Sequence, residues 1–347
     1  MAEISVCMIV KNEAAILARC LDSLKGIYDE LIIVDTGSAD NTKEIAAKYT
    51  DKIYDFEWSD NFSDARNYAF SLATKDYIYS ADADEVIDEE NREKFLAFKE
   101  NIPEEAEIVQ MKYVNQLCFN TSFNFDEEMH PMLYKRLRTF RFVSPIHESV
   151  RLEPVIVNSD IKITHMPSAL HSKRDFSIYR RIVEKENLSE HLFMMYAREL
   201  FISGDDDDFK NAADYFRNEV NNGVRSELNL KQGLCVVTKA EYCLGNYPAM
   251  FNSALKNMSD GKGSSEVCCV LGDYYFNQAK DYPEAALWYA NAAFETSPEL
   301  NIHSCGDYPF TMLSECCLKL GDEDGSNFFK TKCEEWKKEF SMAFSKE

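Results

Sequence analysis

The sequence predicts an α/β domain with a mostly parallel sheet, followed by an all-α domain of helical repeats. Three observations predict it. The first ninety residues alternate short apolar runs with amphipathic segments, the order of a βαβ fold. Strand-like runs fade after about residue 175. Beyond that point helical patterns recur at nearly the spacing of a tetratricopeptide unit. The domains are therefore expected at 1–175 and 176–347.

Ile4 to Val10 is a continuous apolar run, suited to a strand buried on both faces. In Ala14 to Leu24, residues Ile16, Leu17, Cys20, Leu21 and Leu24 share one helical stripe. Leu31 to Val34 is a second strand and ends at Asp35-Thr36-Gly37-Ser38. Asn41, with Glu44 three residues on, reads as a capping box. Lys52 to Trp58 reads as a strand and Asp60 to Ala73 as a helix. A strand from Tyr77 then runs into Ser80-Ala81-Asp82-Ala83-Asp84-Glu85. Right-handed crossovers bring the strand C-termini to one edge, where such sheets bind ligands. Lys11-Asn12-Glu13, Asp35-Thr36-Gly37 and Asp82-Ala83-Asp84 fall there.

From Ala106 to Thr164 the runs read as mixed or antiparallel strands. Met129 to Glu148 is locally rich in Arg, His and aromatic residues. In the helical part, Leu271-Gly272-x-x-Tyr275, Ala285-x-x-x-Tyr289 and Pro298 follow the tetratricopeptide pattern with one extra residue between the halves. Asp281-Tyr282-Pro283 repeats Asn246-Tyr247-Pro248 at an interval of 35 residues, and Asp208-Phe209-Lys210 reads as the start of a more degenerate unit. The run Asp205 to Asp208 reads as a solvated loop.

Composition limits the function. The 347 residues are 45% hydrophobic and 28% charged, enough to bury cores in about two domains. Lys and Arg total 38 against 60 Asp and Glu, a net charge of −22 that disfavours nucleic acid and anionic lipid as main partners. No run reaches the roughly eighteen apolar residues of a membrane span. The first apolar run lacks the basic start and cleavage site of a signal peptide. Eleven cysteines without a C-x-x-C pair read as reduced core residues of a cytoplasmic protein. Asp82 and Asp84, at i and i+2 of a strand end, are spaced to share one Mg²⁺ or Mn²⁺ ion.

Four segments in order resemble family-two glycosyltransferases: Ser5 to Glu13, Ile32 to Thr42, Phe62 to Ala69 and Ser80 to Glu85. The resemblance covers about residues 3–170, and its branch with a C-terminal helical domain resembles bacterial peptide and protein glycosyltransferases, including the sublancin-type S-glycosyltransferases. It implies a GT-A fold, Rossmann-like with a mixed sheet and helices on both faces, a UDP-sugar donor, and inversion at the sugar carbon. UDP-glucose and UDP-N-acetylglucosamine are the expected donors. By matching position, Asp35 takes the uracil N–H, Val10 and Asn12 border the base, and Glu13 reaches the ribose. Arg66 faces the base or the diphosphate. Asp84 chelates the metal, and Asp82 stands nearer the ribose or the metal. His165 completes the metal shell, with His171 its rival, and Lys173 and Arg174 reach the phosphates from a lid spanning Ser168 to Arg174. Glu148, in Ile146-His147-Glu148, is the expected base; Asp126, Glu127 and Glu128 compete.

Plainer readings stand beside these. Asp35 is also a good turn residue before Gly37, Glu13 a helix-dipole charge, Arg66 a surface cation, and Glu148 and His165 structural partners. The helical domain offers a concave face for an extended polypeptide acceptor or for a homodimer. Two rival functions remain at this level: transfer to a glycan or lipid-linked sugar, and a repeat-domain adapter with a nucleotide-binding scaffold. A sugar nucleotidyltransferase would need a Gly-rich basic loop where Lys11-Asn12-Glu13 stands.

Overall fold

A computed structural model describes residues 2–114, 128–150, 154–166, 172–222, 225–259 and 261–343, without the side chains of 172–173 and 340–343. The chain divides into two compact units, 1–171 and 172–347.

The first unit is built on an eight-stranded mixed sheet. In chain order its elements are β1 (Ile4–Val10), α1 (Leu17–Ser23), β2 (Glu30–Asp35), α2 (Thr42–Ala46), β3 (Ile53–Asp55), α3 (Phe62–Leu72), β4 (Tyr77–Ala81), β5 (Glu85–Val86), α4 (Glu89–Glu100), β6 (Ile108–Val114), β7 (Glu128–Lys135), β8 (Phe142–Val143), β9 (Ser149–Val150) and β10 (Ile156–His165). The sheet order is β3-β2-β1-β4-β7-β6-β10-β5, and β8 pairs with β9 apart from it. The first four strands of that order are parallel, whereas β7 runs antiparallel to both β4 and β6.

Alternation along each buried strand fills two cores. Ile4, Val6, Met8 and Val10 of β1 and Tyr77, Tyr79 and Ala81 of β4 join one core with residues of α1 and α4. Cys7, Ile32, Val34 and Ile78 point the other way and pack with Ala69 and Phe70 of α3. This parity also puts Ser80 and Asp82 on the α3 side, where Arg66 sits.

Several local expectations are corrected. The capping box at Asn41 does not form, because no side chain caps that helix end from Asn41. Asp40 Oδ1 instead accepts from Thr42 N at 3.0 Å. The expected strand from Lys52 to Trp58 shrinks to the three residues of β3, at the sheet edge. The first helix starts at Leu17 rather than Ala14, with Glu13 C=O accepting from Ile16 N and Leu17 N.

The second unit consists of helices α5 (Ser172–Val183), α6 (Glu190–Ser203), α7 (Asp206–Asn222), α8 (Glu227–Cys243), α9 (Tyr247–Asn257), α10 (Ser265–Tyr274), α11 (Tyr282–Ala290), α12 (Asp307–Leu320) and α13 (Glu323–Ala343), with short 3₁₀ and π turns between. The repeated Tyr-Pro pairs open α9 and α11 with Pro in the first turn, where its missing N–H costs nothing. The extra residue in the tetratricopeptide pattern has a structural form: α10 continues into a π-helical segment, Tyr275–Ala279. A π turn is how a helix absorbs one inserted residue. The four-Asp run is not a loop. Asp206 to Asp208 form the first turn of α7, and Asp205 Oδ1 accepts from Asp207 N and Asp208 N at 3.0 Å each. Carboxylates there satisfy open N–H groups and the helix dipole.

Gly272 is needed for close approach between α10 and α11. A Cβ there would lie 2.6 Å from the ring of Tyr289, which is fully buried and whose hydroxyl donates to Asp273 Oδ1 at 2.8 Å. Gly272→Ala is expected to destabilise the protein by about 1–3 kcal/mol, the cost of overpacking. Chemical denaturation measures it, and an unchanged midpoint would mean that the ring has room to move. Among the described residues, ten cysteines are free, and no helix is long and apolar enough to cross a membrane.

Candidate active site

The C-terminal ends of β1, β2 and β4 carry the site, and hydrogen bonds between loops shape it. The loops after β1 and β2 are stitched together. Asn12, at φ +57°, donates its N–H to Ser38 Oγ at 2.9 Å and accepts from Ala39 N at 2.8 Å. Glu13 N donates to Thr42 Oγ1 at 2.8 Å, and Ala14 N to Asp40 Oδ2 at 3.1 Å. Val10 is buried at the end of β1.

Asp35 is 1% exposed and divides its work. Its Oδ1 accepts from Gly37 N and Ser38 N, both at 2.9 Å, which closes a turn that Gly37 permits at φ +100°. Its Oδ2 is buried without a hydrogen-bond partner. The turn reading thus accounts for one oxygen only. A buried, unpaired carboxylate oxygen is costly and marks a place for a donor.

Arg66 lies on α3, whose N-terminus is held by Asn61 Oδ1 on Asp64 N and by Ser63 Oγ on Ser144 C=O at 2.6 Å. Its guanidinium is no surface cation. It donates to Glu148 Oε1 at 2.7 Å, to Ser80 Oγ, and to Asp82 Oδ1 at 3.4 Å, and lies 5.6 Å from the Phe142 ring centre. Burial works against the Glu148 charge, but Arg66 outweighs it and holds this carboxyl below its usual range. Asp82 is pushed up instead, by desolvation and by Asp84 and Glu148, although Arg66 opposes them.

Asp84 meets a different partner. Its Oδ2 is 3.2 Å from His165 Nε2. The antiparallel pairing of β5 with β10 sets His165 opposite Glu85, and Asp84 C=O accepts from Met166 N at 2.7 Å. Tyr113 lies against His165 at 5.4 Å between ring centres and stacks on His130 at 4.6 Å. Glu85 is buried behind the pair, with Oε2 accepting from Asp82 N at 3.2 Å, and burial together with Asp82 and Asp84 drives its carboxyl well up.

The structure therefore brings together Asp82, Arg66 and Glu148 in one group and Asp84 with His165 in another, the two aspartates standing two residues apart after β4. Among the described residues no three or more His, Cys, Asp or Glu side chains form a ready metal cage. The neighbouring Asp84 and His165 side chains, within an excess of carboxylates, are of types that suit a hard divalent cation keeping other oxygens as ligands. The Lys173 side chain, His171, Asp126 and Glu127 lie outside the described residues. Arg174 pairs with Asp175 at 2.8 Å. Glu128 lies 3.4 Å from His130 at the start of β7. Ser80 and Glu85 were not singled out from the sequence. Ser80 was detectable as a polar residue in an apolar strand, two positions before Asp82 and therefore on its face.

Comparisons with known proteins point to glycosyltransferases in sequence. The sequence profile described as glycosyl transferase family 2 matches residues 5–149. The chain is 27% identical over 235 residues to the SPbeta prophage-derived glycosyltransferase SunS of Bacillus subtilis, covering 62% of this chain and 52% of that protein. It is 35% identical over 111 residues to an uncharacterised glycosyltransferase of Rickettsia felis, 28% of this chain and 39% of the relative. A TPR repeat-containing protein of Synechococcus elongatus is 52% identical over 85 residues, 24% of this chain and 21% of that protein, and the match lies in the N-terminal part. The chain thus spans between about a fifth and a half of the length of these curated relatives. Among solved structures, glucosyl-3-phosphoglycerate synthase from Mycobacterium tuberculosis, with Mn²⁺, UDP and glucosyl-3-phosphoglycerate, is 16% identical at a TM-score of 0.40, covering 52% of this chain and 78% of that one. The glycosyl transferase family 2 profile thus matches most of the N-terminal unit, its D-x-D strand end included.

Proposed function

We propose that this chain is an inverting glycosyltransferase that moves a sugar from a UDP-sugar to a peptide or protein side chain, with Mn²⁺ or Mg²⁺ bound. The observation that carries the reading is the placement of three unlike groups along one edge of the sheet: the unpaired Asp35 Oδ2, the Arg66–Asp82–Glu148 cluster and the Asp84–His165 pair. Asp35 Oδ2 accepts the uracil N–H, beside Val10 and Asn12, and Glu13 takes ribose hydroxyls. Asp84 and His165 hold the metal, with Asp82 beside them. A bound divalent ion would neutralise charge on the departing UDP.

Arg66 sits between donor and base. A diphosphate competes with Glu148 for its guanidinium, so donor binding frees the carboxylate that the acceptor needs. Glu148 then takes the acceptor proton. Released from Arg66 and buried, the carboxylate becomes a stronger base than in the free protein.

Asp35→Asn keeps the turn oxygen but replaces an acceptor with a donor. It is expected to weaken UDP binding about tenfold or more, the worth of a hydrogen bond to a charged group, with little change in melting temperature. Equal affinity in a titration would remove uracil from Asp35. The acceptor is tested by incubating the protein with UDP-glucose or UDP-N-acetylglucosamine, Mn²⁺ and a peptide library containing Ser, Thr and Cys. One sugar mass on a peptide side chain, read by mass spectrometry, is the expected result. Sugar found only on added glycans would replace the peptide with a glycan acceptor.

A further inference from the structure

We propose that the N-terminal unit has a second ligand site, a pocket for a small molecule that joins an acidic group to a flat apolar body. It lies at the opposite end of the sheet from the D-x-D strand end. Register places it there: Lys135 closes β7 beside Tyr77, the first residue of β4, whereas Asp82 follows the last. The basic stretch from Met129 to Glu148 is thereby divided. His130 and Glu148 serve the strand-end side, and Arg136 and Arg141 line this pocket.

The pocket has a volume of about 390 Å³, within the usual range for small-molecule sites. Its inner wall is aromatic. The Tyr134 ring meets Phe70 edge-on at 5.3 Å and Phe140 at 5.9 Å. Its cations are Lys135, Arg136 and Arg141, and among the described residues no carboxylate lines it. That is a strong local bias in a chain with 60 acidic and 38 basic residues.

Lys135 and Arg136 are held by carbonyl groups. Lys135 Nζ donates to the carbonyl of Glu104 at 2.7 Å, and Arg136 Nε to the carbonyl of Lys75 at 2.5 Å. Both acceptors are neutral. Arg138, in the same turn, shows the contrast: it is paired with the Glu107 carboxylate at 2.8 Å and does not line the pocket. Positive charge beside low-dielectric aromatic walls attracts an anion more strongly than the same charge in open water. Guanidinium groups favour carboxylate or phosphate oxygens, and the rings favour a flat apolar partner. An inorganic anion satisfies only the first demand and a neutral aromatic only the second.

The test is calorimetric titration of the full chain, free of divalent metal and at low salt, with phenyl phosphate as the probe and inorganic phosphate and phenol as comparators. The expected dissociation constant for phenyl phosphate is about 1 mM or lower, and at least about tenfold below either comparator. Arg141→Ala removes an exposed rim cation, and Ser71→Trp fills the pocket from an exposed position on α3. Each is expected to keep the wild-type melting temperature and to weaken phenyl phosphate at least about tenfold. No binding at about 10 mM, equal binding of inorganic phosphate, or binding that survives both variants overturns the proposal.

Discussion

Asp84→Asn is expected to lower sugar transfer by about a thousandfold, roughly 4 kcal/mol of transition-state stabilisation, the scale of charge neutralisation at a metal-assisted leaving group. The shape of the side chain and its contact with His165 survive the change, so the loss is one of charge. Stability should move the other way. Asp84 stands beside Asp82 and raises the carboxyls of both Asp82 and Glu85. Removing its charge relieves that repulsion, so the melting temperature without metal is expected to hold or rise. Added Mn²⁺ should no longer shift it. A variant that melts many degrees lower would make Asp84 a structural residue instead.

Arg66→Ala is expected to cost about 3–5 kcal/mol, because it strands charged partners rather than removing a whole pair. Glu148 is 13% exposed and loses its bond of 2.7 Å, and Asp82 loses its counter-charge. The melting temperature should fall by roughly 10 °C, at about 2–4 °C per kcal/mol for a domain of this size. The pH dependence separates this cause from lost packing. In the wild type the Glu148 carboxyl is lowered by folding, so its stabilisation is present above the unfolded pKa, about 4.3, and is lost as pH falls through the lower folded value. Without Arg66 burial meets less opposition, the folded pKa rises, and the penalty grows as pH increases toward that raised value. The gap between variant and wild type should therefore narrow from pH 7 to pH 5. A gap that stays constant would mean lost packing.

Much of the N-terminal unit was legible because its strands are buried on both faces. Ile4–Val10 and the strands ending at Asp35 and Ala81 read as mainly apolar runs, and the polar residues after them mark the ligand edge. Asp82 and Asp84 were found that way, and their division was not. Both follow β4 in a turn where strand alternation no longer applies, and which of them meets Arg66 and which meets His165 depends on α3 and β10, brought together from far along the chain. The Arg66–Glu148 bond spans 82 positions and leaves no local pattern. Local signals failed where tertiary partners overrode them. Asn41 and Glu44 match a capping box, yet the loop stitched by Asp40 and Thr42 holds that helix start. The Asp run from 205 to 208 looks like a solvated loop by charge alone, but it caps a helix whose apolar face begins at Phe209. The inserted residue in the repeat was visible as a misfit in spacing, and only the backbone shows it taken up as a π turn.

Isothermal titration of the wild-type chain with UDP, with and without Mn²⁺, tests the central claim most directly, since it needs neither the sugar nor the acceptor. Binding that strengthens at least about tenfold with Mn²⁺, and a stabilisation of about 2.7 kcal/mol when UDP stands at 100 times its Kd, is the predicted result. UDP that binds equally well without metal, or does not bind at all, would contradict the assignment of Asp84, His165 and Asp35 to a metal–nucleotide site.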